Sequence, residues 1–187
     1  MLACPFLYVG MNDVFFQMKY DELNVVAFDI ANAKTPKEAR GLFEDTLFDA
    51  YVYGFLDLFD DGNGEIDYPK MLDTIEHEYD GVSIFDTMQG YVENGAIDDI
   101  RRLLDSEWHR VFNQAQYDAA TDLGYTRKTW VTMDDDKVRD THDYLEGVTI
   151  DIDAEFITFD GDMARFPGDF FLAQNNANCR CIVVYSE

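Results

Sequence analysis

The sequence is short of cysteines, basic residues and long apolar runs, and each shortage excludes a class of protein. Three cysteines in 187 residues, Cys4, Cys179 and Cys181, do not form the disulfide framework of a small secreted domain. An odd number of cysteines, two of them only two residues apart, is more typical of a protein from a reducing compartment such as a cytoplasm. No run of about eighteen uncharged apolar residues is present to cross a bilayer, so we expect no membrane association.

Acidic residues far outnumber basic ones. The chain has 38 Asp and Glu against 14 Lys and Arg, which gives a net charge of −24. Residues 1–100 are the more acidic half, with 21 acidic and 5 basic side chains. A field of this sign repels phosphate backbones, so direct nucleic-acid binding is disfavoured. The charge is interpreted as a hydrated surface, in preference to a surface that imitates DNA.

The spacing of apolar residues changes at Gly124 and predicts the fold class. Apolar residues make up 47% of the chain, enough for a folded core. Three- and four-residue steps predict helices in the first part, at about 12–33, from Thr35 onward, at about 70–79 and 83–93, and from 96 to about 123. Alternation predicts short strands after Gly124, near 130–133, 148–152, 156–159 and 181–185. The expected fold is α+β, an N-terminal helical part followed by a small, mostly antiparallel β-sheet.

Two segments suggest metal ligands, and neither pattern is complete. The acidic segment 59–67 resembles an EF-hand loop, but Phe59 and Lys70 stand where the first and last carboxylate ligands belong, so we interpret it as an acidic turn. Cys179 and Cys181 share one face of a predicted strand, and His142 could approach them. His77 and His109 have no partner at metal-ligand spacing. We therefore predict two inert core thiols, no metal and no cofactor.

A polar edge on the long helix offers the only arrangement that resembles a catalytic site. Glu107 and Arg110 lie one helical turn apart and could form a salt bridge. They could also complete a site with Arg139 and His142, where His142 is the candidate general base. No nucleophile paired with a base can be recognised from the spacing.

Short motifs follow one another in a fixed order between residues 106 and 185. They are Ser106-Glu107 with Arg110, Lys128-Thr129-Trp130, Val138-Arg139-Asp140-Thr141-His142 through Gly147, Pro167-Gly168-Asp169, and Asn178-Cys179-Arg180-Cys181. In this order they resemble the Mu F-like family of phage minor head proteins, also called head morphogenesis proteins. In one version of the family pattern a His precedes the final Cys-Arg-Cys and looks like a metal ligand, and Asn176 stands at that place here.

The resemblance implies a structural protein of a tailed phage or prophage that has no catalytic activity. Such a protein is made in the host cytoplasm, enters the head interior near the portal and contacts portal and/or capsid proteins. Residues 96–187 would be the Mu F-like head morphogenesis domain, and residues 1–95 an acidic helical region that meets those partners. Arg139, His142 and Asn178 would order the turns of the sheet, while Cys179 and Cys181 would fill its core.

The sequence is also compatible with two other functions. A helical part followed by a small sheet also describes compact ribonuclease-like toxins, in which His142 would be the base and Arg139 or Arg110 would stabilise the phosphate. The net charge of −24 counts against a nuclease. The third possibility is an acidic inhibitor that imitates DNA, which would need carboxylates along one exposed face.

Overall fold

The computed structural model describes residues 19, 21–59, 64–79 and 81–187. Its helices are α1 (21–31), α2 (Pro36–Leu56), α3 (Tyr68–Ile75), α4 (Ile84–Glu93), α5 (Ile97–Asp122), α6 (Asp140–Asp143) and α7 (Ala173–Asn176). Its strands are β1 (Glu78–Tyr79), β2 (Val82–Ser83), β3 (Arg127–Val131), β4 (Thr149–Asp151), β5 (Phe156–Ile157), β6 (Met163–Ala164) and β7 (Ile182–Ser186). Helices come first and small antiparallel sheets follow, so the predicted α+β class is confirmed.

Helix α2 begins where its local sequence predicts. The side chain of Thr35 accepts a hydrogen bond from the Glu38 amide, and the Glu38 carboxylate accepts one from the Lys34 amide at 2.7 Å. Pro36 occupies the first turn, where its missing N–H costs nothing. The helix buries Phe43, Leu47 and other apolar residues against α5.

Helix α5 is the central element because it contacts both halves of the protein. Most of its length, from Ile100 to Ala119, contributes to a core shared with α1 to α4. Gly54 of α2 faces the carbonyl of Phe112 so closely that a Cβ atom would clash. Its last turns reach a second core that contains Ala120, Trp130 and Phe156. Leu123 and Gly124, the latter with φ of +78°, end the helix as predicted.

Strand β3 lies in the middle of a three-stranded antiparallel sheet, between β4 and β7. Alternation along β3 buries Lys128 and Trp130 and leaves their neighbours half-exposed. Strands β5 and β6 pair separately as a short antiparallel hairpin. This arrangement positions one face of the sheet against α5.

Four predicted segments differ from the structure or lie partly outside its described residues. The helix predicted at about 70–79 ends at Ile75, and Glu78–Tyr79 instead pairs with Val82–Ser83 around Gly81, whose φ is +76°. The strand predicted at 156–159 stops at Ile157. The acidic turn at 60–63 and residues 12–18 of the first predicted helix lie outside the described residues. Within the described part, no helix is long and apolar enough to cross a bilayer.

Candidate functional site

Just before β7, two neighbouring cysteines meet His142, which lies 37 and 39 residues earlier in the chain. The Nδ1 atom of His142 lies 3.5 Å from Cys179 Sγ and 3.4 Å from Cys181 Sγ. All three residues are buried, and their ligand-type atoms lie within 4.8 Å of one another. The approach of His142 to the two cysteines, which the sequence allowed, is present in the fold.

His109 joins this group from α5, and the sequence spacing gave no sign of it. His109 is 2% exposed, and its ring lies beside the Cys179 thiol. The pKa of Cys179 lies well below its usual value, first because Cys181 hydrogen-bonds to it, in opposition to burial, and then because of His109 and His142. The same hydrogen bond, together with burial, raises the pKa of Cys181.

Arg139 fixes the segment that leads to the cysteines. Its guanidinium donates hydrogen bonds to the carbonyl oxygens of Gln174 and Ala177. Asn178 follows with φ of +54°, a left-handed conformation that asparagine tolerates better than most residues. The Cys179 amide then donates to the carbonyl one turn back, and the chain enters β7. Arg139 and Asn178 thus order the turn that precedes β7.

Gly147 and Asn176 shape two further turns. Gly147 has φ of +71°, and its amide donates to the carbonyl of Trp130 at 2.9 Å. Asn176 is buried and binds the backbone of Phe170 twice, accepting from its amide at 3.0 Å and donating to its carbonyl at 2.6 Å. The side chain at position 176 is thus used to hold a loop.

Glu107 and Arg110 form the predicted salt bridge, and it is buried. Arg110 Nε donates to Glu107 Oε2 at 2.8 Å, and a second guanidinium nitrogen donates to the carbonyl of Thr74 at 2.9 Å. Tyr79 donates its hydroxyl to Glu107 Oε1 at 2.7 Å. Burial and then the Glu107 charge raise the pKa of Tyr79, so it stays a protonated donor. These contacts tie α5 to α3 and β1.

The Pro-Gly-Asp motif packs directly on α5. Gly168 has φ of +98°, and a Cβ atom there would lie 2.9 Å from the Cα atom of Arg110. Only glycine satisfies both the backbone conformation and this close approach. Pro167 is buried beside it, and Asp169 binds Arg165 through Nε at 3.0 Å. The motif therefore brings a loop of the second half into contact with the long helix.

Lys128 and Trp130 point from β3 into the second core. The Lys128 ammonium lies 5.1 Å from the centre of the Tyr117 ring and 5.4 Å from that of Phe156, and it has no hydrogen-bond partner among the described residues. Burial, and then the Arg165 charge, lowers the pKa of Lys128 to about 8. Trp130 is fully buried and meets His142 edge-on, with ring centres 5.4 Å apart.

The four residues that a ribonuclease would use do not surround one open site. His142 and Arg139 line a small cavity, whereas Glu107 lines a different groove and Arg110 is engaged in the buried salt bridge. His142 is 1% exposed, and two cysteines occupy the space in front of its Nδ1 atom. A phosphodiester has no route to this nitrogen in the conformation described.

The fold and these contacts define a class of α+β protein, in which buried polar residues join a long helix to a small antiparallel sheet. The chain belongs to the Phage Mu protein F like protein family, whose model matches residues 83–184. The family named from the motif order is thus confirmed.

Two curated proteins show significant similarity to part of the chain. It is 30% identical over 83 residues to minor head protein GP7 of Bacillus phage SPP1, which is 43% of this chain and 27% of that protein. It is 37% identical over 75 residues to an NAD(+)–arginine ADP-ribosyltransferase, EFV, of Enterococcus faecalis, which is 40% of this chain and 15% of that enzyme. The chain therefore spans about a quarter or less of each relative. No solved structure matches it significantly.

Proposed function

We propose that this protein is a minor head protein of a tailed phage or prophage, which takes part in head assembly through contacts with portal and capsid proteins. The family match over residues 83–184 carries the proposal, and the similarity to a phage minor head protein supports it. On this proposal the protein is made in the host cytoplasm and is enclosed in the head.

The placement of the family-motif residues supports a structural role. Glu107, Arg110 and Gly168 join α5 to its neighbours, and Arg139 fixes a turn of the sheet region. Each of these groups is occupied by contacts within the chain, although Glu107 and Arg139 also border a groove and a small cavity. The motifs thus maintain the fold, and the partner surface lies elsewhere.

We assign the binding of portal or capsid proteins to the acidic surface of the helical half. On α2, Asp45 and Asp49 are exposed and lie one helical turn apart, so they present adjacent negative charges. Charge complementarity across an interface raises the association rate and disfavours wrong partners. A basic surface on the portal or coat protein would complement this face.

Co-expression with the portal and coat proteins encoded beside this gene tests the proposal. The wild-type protein is expected to co-purify with at least one of them, and the double variant Asp45→Lys/Asp49→Lys is expected to lose the complex at low salt. The matched control, Asp153→Lys/Glu155→Lys, makes the same charge change at exposed positions of the sheet half and is expected to keep the complex.

Two results would contradict the proposal. If mass spectrometry of purified virions finds no copy of this protein, it is not a head component. If the two double variants lose the complex equally, net charge alone is responsible and the assignment to α2 is wrong.

A catalytic role is not part of the proposal, and it can be tested directly. An RNA cleavage assay of the wild-type protein against His142→Ala is expected to show no difference, because His142 is buried. An assay for NAD⁺ consumption is expected to be negative as well, since only 15% of the ADP-ribosyltransferase is matched. A host nuclease recovered on the immobilised protein would instead support the inhibitor that imitates DNA.

A further inference from the structure

We propose that His109, His142, Cys179 and Cys181 form a structural zinc site that joins α5 to the C-terminal sheet. Two thiolates and two imidazoles are a common ligand set for structural zinc. The sequence alone favoured inert thiols, because the four residues show no metal-ligand spacing. The fold brings His142 of α6 and the two cysteines before β7 within 4.8 Å of one another. His109 of α5 lies beside Cys179, at the edge of this group of three.

The distances around His142 fit a tetrahedral metal. Zinc bonds of about 2.3 Å to sulfur and about 2.0–2.1 Å to nitrogen place those two atoms about 3.6 Å apart at the tetrahedral angle. The two observed separations from Nδ1 to sulfur are 3.5 and 3.4 Å. A neutral imidazole nitrogen has either one hydrogen or one lone pair in the ring plane. Two equidistant thiols exceed what that nitrogen can bind by hydrogen bonding, whereas one metal ion would bind all three atoms.

His109 is the candidate fourth ligand, and a small rotation of its side chain toward the other three would complete the site. It is buried and already contacts Cys179 through its ring. With His109 included, the site is closed and contains four protein ligands, as structural zinc sites do, whereas catalytic sites keep a position open for water. The site therefore supports the fold and performs no hydrolysis.

The charges also balance in this buried place. Two thiolates together carry the charge that a divalent cation neutralises, and two neutral imidazoles add none. Burying a thiolate without a counter-charge is costly, so the ion would remove a penalty that the cluster otherwise carries. The ion would also connect α5 to the segment before β7, between the two hydrophobic cores.

Metal analysis of the full-length protein tests the site. The protein is expressed with added zinc and purified without chelator. Inductively coupled plasma mass spectrometry is then expected to find one zinc ion per chain. Cobalt(II) in its place is expected to give the ligand-field absorption of a tetrahedral site and a thiolate-to-cobalt charge-transfer band. Treatment with a strong chelator is expected to lower Tm, and added zinc is expected to restore it.

Single variants assign the ligands. Cys179→Ser and His109→Gln are each expected to weaken zinc binding by more than the roughly 10- to 100-fold that the loss of an outer-shell partner costs. The matched control is His77→Gln, since His77 packs on Tyr79 and, unlike His109, does not interact with Cys179. This control is expected to retain one zinc ion, and circular dichroism verifies that each variant is folded.

Three results would overturn the proposal. The first is folded wild-type protein that holds no zinc after reconstitution. The second is a folded Cys179→Ser or His109→Gln variant with unchanged zinc affinity. The third is a site that takes another metal and rejects zinc. If a ligand variant fails to fold, the chelator experiment on the wild-type protein decides, because an unchanged Tm excludes a structural zinc ion.

Discussion

Replacing Lys128 with methionine should show that the buried lysine makes the stability of the wild-type protein depend on pH between about pH 8 and 10.5. Lys128 is fully buried between two aromatic rings, and burial lowers its pKa from 10.5 to about 8. Below about pH 8 the Lys128 side chain is protonated in both the folded and the unfolded state, so it does not make the unfolding free energy depend on pH. Between about pH 8 and 10.5 the unfolded state binds the proton more strongly, so the folded state gains stability as the pH rises.

The size of the effect follows from the same pKa. One pKa step is worth about 1.4 kcal/mol, so the fall from 10.5 to about 8 corresponds to roughly 3 kcal/mol. Methionine fills a similar volume and carries no charge, so Lys128→Met removes this titration. The unfolding free energy of the wild type, measured relative to the variant, should therefore rise by up to roughly 3 kcal/mol across the window.

Urea unfolding followed by far-ultraviolet circular dichroism at a series of pH values provides the measurement. Other groups that titrate at alkaline pH affect both proteins equally and cancel in the difference. Lys37→Met is the control, because Lys37 is exposed on α2 and its replacement should give a difference that is constant with pH. A constant difference for Lys128→Met would refute the reasoning, since it would mean that the buried ammonium has its ordinary proton affinity.

Three further substitutions test contacts that hold the helices, each by urea unfolding. Gly168→Ala should destabilise by roughly 1–3 kcal/mol more than Gly161→Ala, because both positions have positive φ but only the first faces the backbone of α5; equal losses would contradict the close approach. Thr35→Ala should cost about 1 kcal/mol through the lost cap of α2, and no loss would show that the cap is redundant. Tyr51→Phe should cost roughly 1.5–3 kcal/mol, because it removes the 2.7 Å hydrogen bond to the buried Asp118 carboxylate; a neutral result would show that Asp118 does not need this donor.

The sequence predicted those elements whose signals are local. The start of α2 depends on a cap, a proline and an acidic residue within four positions, and the ends of α5 follow from a glycine and a long apolar stripe. Strands β3 and β7 are long enough to show alternation. Each of these signals lies within the segment that it specifies, so one sequence was enough to find them.

The short hairpins could not be found in this way. Strands β1 and β2 have two residues each, which is too few for any period to appear. Tyr79 lies in a strand and not in a helix, and its hydroxyl hydrogen-bonds Glu107 on α5. This hydrogen bond depends on tertiary packing, which local spacing does not predict. The helical spacing upstream therefore led the prediction about four residues too far.

The candidate site was only partly predictable for a related reason. The motif order gave the family, and the alternation before β7 placed Cys179 and Cys181 on one face. His109 lies beside Cys179 only because α5 packs against the segment before β7. The spacing of residues along the chain does not predict that packing. The division at residue 95 stays a prediction, although the core shared by α1 to α5 extends across it.

The pairing of β3 bears on the order in which the protein folds. Each strand partner of β3 is remote along the chain, since Arg127 pairs with Asp151 on one side and with Ser186 on the other. Each helix is closed by its own hydrogen bonds between residues four apart, and such local contacts form quickly, whereas remote strand pairings carry a large loop-closure cost. During synthesis, β3 leaves the ribosome well before β7 exists, with Lys128 and Trp130 not yet covered. We therefore expect refolding in two phases, with the helices protected from hydrogen exchange first and β3 protected last.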